Sequence, residues 1–308
     1  MLLSQALEGF LLAKRIEGLS PRTLAGYKRQ IERLSTFLDN PDLDSITTHD
    51  LRRFFDYLRN DYAPQRLTSD AKPLSPRTIR NYWIALRSFY TFATQELAVP
   101  DAMDPISPPK VTDAVITPPS PEEVKDMLNV CLRTKDGRRH PNGHRNKAII
   151  ATLADTGMRV SSLCEATVED YDQDTGRIDI RNSKGGKSRV VFLGAVARKA
   201  LWRYLADRKD RNRPSAPLFA TSDGSHLSRS WVRKIVSRIG DRAGVKGVYP
   251  HLLRHFFAIQ YLRNNGDMFT LQRILGHSSL EMVKRYTAIA DVDAERVHRR
   301  ASPVDNLA

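Results

Sequence analysis

Cysteine is nearly absent. Only Cys131 and Cys164 occur in 308 residues, and neither lies in a paired metal-ligand spacing. That excludes a disulfide framework and a zinc ribbon and suits a reducing compartment, so a cytoplasmic location is expected. No apolar run approaches the roughly 20 residues a membrane-crossing helix needs, so no membrane partner is expected. The amino terminus, MLLSQALEGFLLAKRIEG, has no basic stretch ahead of its apolar residues and no small-residue cleavage site. It is expected to be an amphipathic helix rather than a signal peptide, and no further amino-terminal domain is expected before it. Two chemical motifs are also incomplete. His251 and His255 are spaced i, i+4, but the glutamate of H-E-x-x-H is missing and Arg254 between them would repel a cation, so no metal is expected. Gly186-Lys187-Ser188 imitates the end of a phosphate-binding loop. The glycine required five residues before Gly186 is Arg181 instead, so neither ATP nor any other nucleotide cofactor is expected.

Positive charge is abundant. Lys+Arg number 49 against 35 Asp+Glu, a formal charge of +14. A polyanion is the natural partner, and nucleic acid is the commonest, because neutralised phosphates release counterions. A hydrophobic fraction of 41% supports packed cores, and this length predicts two domains. One internal echo stands out: Leu19-Ser20-Pro21-Arg22-Thr23 recurs as Leu74-Ser75-Pro76-Arg77-Thr78. Ser20 and Ser75 are good N-caps, and Pro21 and Pro76 suit a first helical turn. Arg22 and Arg77 then sit at helix starts, where the helix dipole disfavours a cation unless an anion is near, so both are candidate nucleic-acid phosphate contacts.

Helical spacing of apolar residues over 2–16, 23–38, 51–58 and 79–97 predicts a four-helix domain covering residues 1–98. A proline-rich stretch over 99–120 reads as a linker, because proline removes a backbone donor and stiffens the chain. The remainder, 121–308, is read as a second domain. Helical patterns cover 121–132, 145–156, 195–208, 228–243, 252–264, 268–275 and 280–290. Between them, Val168–Leu193 changes to short β-prone runs broken by Asp174-Thr175-Gly176 and Lys184-Gly185-Gly186-Lys187, which predicts a small antiparallel sheet of three strands. The expected fold class is mainly α, with that one small sheet in the second domain.

Four segments of the second half carry chemistry: Thr156-Gly157-Met158-Arg159-Val160-Ser161, Asn182 to Arg189, His251-Leu252-Leu253-Arg254-His255, and Leu275-Gly276-His277-Ser278-Ser279 with Tyr286 nine residues after His277. In this order and at these separations they resemble the tyrosine recombinase (phage integrase) family. TGMRVSSL is similar to its first arginine motif, NSKGGKSRVVFL to its hairpin lysine, HLLRHFFA to its H-x-x-R-H motif, and LGHSSLEMVKRYT to its last histidine and nucleophile. The helical first domain, with its LSPRT segments, resembles the family's SAM-like core-binding domain, and the two-domain layout resembles the Xer type. The resemblance covers nearly the whole chain. Two supporting positions depart from it: Ser162 stands where an acidic residue is common, and Leu252 where aspartate is common.

The resemblance implies a catalytic set of Arg159, Lys184, His251, Arg254, His277 and Tyr286, acting on double-stranded DNA as a homotetramer assembled on it. The chemistry agrees. Displacement at a phosphodiester spreads negative charge over the non-bridging oxygens, and preorganised guanidiniums are suited to hold them. A phenol of pKa about 10 is only about one part in a thousand ionised at neutral pH, so Tyr286 needs activation. His251 would take its proton or hydrogen-bond a phosphate oxygen, and His277 would hold the phosphate or orient the phenol. The resemblance assigns protonation of the leaving 5′ oxygen to Lys184, with Lys187 on the same turn as a rival. The phosphodiester energy is conserved in a 3′-phosphotyrosyl link, so no cofactor is required. Three alternatives stay open: a DNA-binding protein of the same fold without catalysis, a type IB topoisomerase that relaxes DNA without exchanging partners, and a basic helical interaction protein whose DNA affinity would vanish in moderate salt.

Overall fold

The computed structural model describes residues 1–64, 73–111, 117–134, 136–181, 188–276, 302 and 305. It divides into two compact units, Met1–Ala114 and Val115–Ala308.

The first unit contains α1 (Leu3–Ile16), α2 (Pro21–Phe37), α3 (Thr48–Asn60) and α4 (Pro76–Leu97). Each helix turns an apolar stripe inward: Leu3, Phe10, Ile31, Leu34, Phe54, Leu58, Leu86 and Phe89 are fully buried in one core. Phe10 and Phe89 meet edge to face at 5.5 Å, an arrangement worth about 0.5–1.5 kcal/mol beyond area burial. The two LSPRT segments are built alike. Ser20 Oγ accepts from the Thr23 N–H and Ser75 Oγ from the Thr78 N–H, both at 3.2 Å, with proline in each first turn. Such a cap is worth about 1 kcal/mol, which explains why these helices begin where they do. The unit continues into the proline-rich stretch. Met103 is fully buried in its core, Trp83 Nε1 donates to the Ile106 carbonyl at 2.8 Å, and Arg87 pairs with Asp101 at 2.8 Å.

The second unit is organised around α6 (Gly143–Thr156), which follows α5 (Pro121–Val130). Residues 148–154 are apolar except for Thr152, and most of the helix is buried, as befits a central helix. It packs against α8 (Ala195–Ala206) and α10 (Pro250–Arg263). The short α7 (Val160–Glu165), α9 (Arg229–Arg242) and α11 (Met268–Leu275) complete the described helices. Strands β1 (Arg177–Ile180) and β2 (Arg189–Phe192) pair antiparallel, with Ile178 opposite Val191 and Ile180 opposite Arg189.

The sheet corrects one expectation. Among the described residues it has two strands, not three. Val168–Asp170 is a single 3-10 turn, and Tyr171 makes only an isolated bridge to Ile178. The cause is local: Asp170 accepts from both the backbone N–H and the hydroxyl of Thr167, at 2.8 and 2.7 Å. Side chains that bond the nearby backbone offer it an alternative to a strand ladder. The helical pattern over 280–290 lies outside the described residues. No helix among the described residues is long and apolar enough to cross a membrane. Cys131 and Cys164 are buried and free, and burial raises both thiol pKa values.

Candidate active site

The site begins where α6 stops. Gly157 takes the left-handed conformation, with φ of 59°, and its N–H bonds back to the Leu153 carbonyl at 3.1 Å. That turn ends the helix, and nothing larger than glycine fits it: a Cβ there would collide with the Phe257 ring and stand 2.9 Å from Leu275 Cδ2. Residues of α10 and the end of α11 therefore approach the turn closely. Two residues on, Arg159 has extended backbone angles as the N-cap of α7, so α7 starts immediately beyond it.

Arg254 comes from α10 and is 2% exposed. Its Nη1 donates to the Gly157 carbonyl at 2.7 Å and its Nη2 to the Leu275 carbonyl at 2.8 Å. Arg159 Nη2 donates to the neighbouring carbonyl, Gly276, at 3.1 Å. Arg189, the first residue of β2, donates from Nη1 to the same Leu275 carbonyl as Arg254. Three guanidiniums thus gather at the carboxyl ends of α6 and α11, where helix dipoles and unsatisfied carbonyls offset part of their mutual repulsion. No ion pair joins Arg159 or Arg189 to a carboxylate among the described residues.

His251 and His255 lie one turn apart on α10, with ring centroids 4.5 Å apart. Burial, then the charges of Arg254 and Arg159, lower the His251 pKa, so the ring is neutral at neutral pH and able to accept a proton. Burial, then His251 and Arg254, lower His255 further, to about 4. His255 is 8% exposed and lies one turn after His251 on the helix.

His255 makes the stability of the fold depend on pH. Its folded pKa of about 4 lies below the ordinary 6.5, so between those values the unfolded chain binds more protons than the folded one. Stability is therefore full above pH 6.5 and is lost as pH falls toward 4, by on the order of 3 kcal/mol over the whole window. Melting temperatures recorded across that range are expected to fall for the wild type and to fall less steeply for His255→Gln. Parallel slopes would assign the acid sensitivity elsewhere.

Arg159, ahead of α7, is thus brought together with His251 and Arg254 of α10, two segments far apart in the chain. Lys184, its rival Lys187, His277 and Tyr286 lie outside the described residues, although Gly276, the residue before His277, touches the arginine cluster through its carbonyl. Arg22 and Arg77 belong to the first unit, exposed in the opening turns of α2 and α4. Of the two positions that depart from the family pattern, Ser162 is buried and Leu252 is half-buried. Arg189 is the residue that motif reading passed over. It was visible only as the end of a basic turn, and nothing in the local pattern separates it from its neighbours.

Comparison with known proteins gives the following. Residues 120–292 match the phage integrase family, and residues 6–90 match the phage integrase N-terminal SAM-like domain. Tyrosine recombinase XerC of Bacillus pumilus (strain SAFR-032) is 31% identical over 294 residues, covering 92% of this chain and 91% of that protein. Tyrosine recombinase XerD of Mycobacterium tuberculosis (strain ATCC 25618 / H37Rv) is 32% identical over 299 residues, covering 93% and 94%. Among solved structures, the XerH site-specific recombinase bound to palindromic difH substrate in a post-cleavage complex shares the fold. Its TM-score is 0.69 at 24% identity, covering 92% of this chain and 80% of that one.

Proposed function

This chain belongs to the phage integrase family, and from that premise we propose that Tyr286 is the nucleophile and Arg159, Lys184, His251, Arg254 and His277 its catalytic partners. The protein is a site-specific recombinase of the tyrosine type, an enzyme that breaks and rejoins DNA. Relatives named as tyrosine recombinases over more than nine-tenths of the chain do not favour a silent DNA binder or a type IB topoisomerase.

One observation carries the assignment of roles. Arg159, Arg254 and the neutral His251 converge beside the end of α11, directly ahead of His277 in the chain. In the proposed step the Tyr286 oxygen attacks the scissile phosphorus as its proton passes to His251. The bond from phosphorus to the 5′ oxygen breaks, and that oxygen takes a proton from Lys184. Arg159 and Arg254 hold the non-bridging oxygens as their charge grows, the largest single contribution a protein makes to such a reaction. His277 holds the phosphate beside them. A 5′ hydroxyl from a second duplex then reverses the sequence, with no net change in the number of phosphodiester bonds. Neither an external energy source nor a metal enters that balance.

Exchange between two duplexes calls for several active sites at once, which supports a homotetramer assembled on DNA. Arg22 and Arg77 are proposed as phosphate contacts of the first domain, residues 1–98, ahead of a linker at 99–120 and a catalytic domain at 121–308.

Covalent capture tests the proposal. A nicked duplex that loses a short fragment on cleavage is expected to trap wild-type protein on the 3′ phosphate, with the adduct on the peptide containing Tyr286. Mapping to any other residue would reject the assignment.

A further inference from the structure

Arg189 has no part in the proposed step, yet its surroundings are those of a ligand-binding group. Among the described residues only its Nη1 is engaged, on the Leu275 carbonyl, and Gly276 packs so closely that a Cβ there would collide with that nitrogen. Nε and Nη2, which form the side-on edge of the guanidinium, are buried and make no hydrogen bond among the described residues. Idle donors on a buried cation are costly, and native proteins seldom keep them without a use. Burial and the charge of Arg159 push its pKa down to about 10, so Arg189 remains charged at neutral pH. The group it faces electrostatically is therefore another cation of the same cluster, an arrangement that an anion between them would relieve.

We propose that Arg189 is a third arginine of the phosphate site, its Nε–Nη2 edge taking a non-bridging oxygen of the scissile phosphodiester beside Arg159 and Arg254. The inference rests on the reading of Arg159 and Arg254 as the phosphate clamp. The side-on edge is the part of a guanidinium that presents two parallel N–H groups to an oxyanion. The Leu275 carbonyl holds the opposite side of the group, so the edge is preorganised before the phosphate arrives. Because the edge is buried, the Gly276 turn that packs on Arg189 must give way slightly as the DNA strand enters.

The test compares wild type, Arg189→Ala, Arg189→Lys and Arg159→Ala on two nicked duplexes. One carries the normal scissile phosphate. The other carries a methylphosphonate there, in which a neutral methyl group replaces one charged oxygen. Binding affinity and single-turnover adduct formation are both measured. Wild type is expected to prefer the phosphate duplex by roughly tenfold more than Arg189→Ala does, the worth of one charge-assisted hydrogen bond. Adduct formation by Arg189→Ala is expected to fall about 100-fold on the phosphate and much less on the methylphosphonate, with partial recovery in Arg189→Lys. A loss of equal size on both duplexes would mean that Arg189 only shapes the fold, and the inference would be wrong. Arg159→Ala separates the two levels of argument. If Arg159→Ala discriminates between the duplexes while Arg189→Ala behaves alike on both, only Arg189 leaves the site. If Arg159→Ala also behaves alike on both, the clamp itself has been misplaced.

Discussion

Arg254→Gln is expected to slow covalent adduct formation by roughly 100- to 1,000-fold, the usual result of removing one preorganised donor from a developing oxyanion. The effect is large because Arg254 has two duties. It is 2% exposed, and it ties the Gly157 carbonyl at the end of α6 to the Leu275 carbonyl at the end of α11, at 2.7 and 2.8 Å. Glutamine is shorter and neutral, so at least one buried carbonyl loses its donor, at about 1–3 kcal/mol of stability. Arg254→Lys is not expected to rescue the rate, since one ammonium cannot reproduce two diverging donors on a planar frame. Single-turnover rates on a nicked duplex, measured well below each variant's melting temperature, separate the lost chemistry from the lost stability. A folded Arg254→Gln protein that reacts at the wild-type rate would remove Arg254 from the clamp.

Tyr286→Phe is expected to form no adduct at all while binding DNA as tightly as the wild type. The substitution deletes one oxygen and leaves the ring, so shape and charge at neutral pH are nearly unchanged. No neighbouring group can replace a phenolic oxygen that becomes the ester oxygen of the intermediate. The contrast with Arg254→Gln is diagnostic: a clamp variant retains a slow reaction at the same atom, whereas a nucleophile variant has none. Denaturing gels of both proteins with the same nicked duplex, alongside a binding titration, make the comparison. Recombinant joints from Tyr286→Phe would require a different nucleophile and a different mechanism.

Much of the helical framework was legible because its determinants are local. The serine caps and first-turn prolines at Ser20-Pro21 and Ser75-Pro76 give α2 and α4 their starting points, and both caps are made as the sequence implies. The glycine at 157 marks the end of α6 for the same kind of reason, since a positive φ is a property of one residue. The third strand failed on a local competitor that apolar periodicity ignores, the bonds between Thr167 and Asp170. The packing of Met103 and Ile106 onto the first unit was hidden by the prolines around them, which report backbone stiffness but not what an extended segment touches.

By itself the sequence determined the chemistry available to this protein: a basic chain with arginines, histidines, lysines and a tyrosine in the order of a known family. It also determined the helices that carry them, since capping and periodicity act within a few residues. Only the tertiary structure decided how the arginines divide their labour. Arg254 reaches Gly157 across 97 positions, Arg189 reaches Leu275 across 86, and Arg159 reaches Gly276 across 117. No local rule distinguishes a buried guanidinium bridging two helix ends from an exposed one in a basic turn. That distinction arises when close packing at Gly157 draws α10 and α11 against the end of α6, concentrating positive charge where helix carbonyls can bear it.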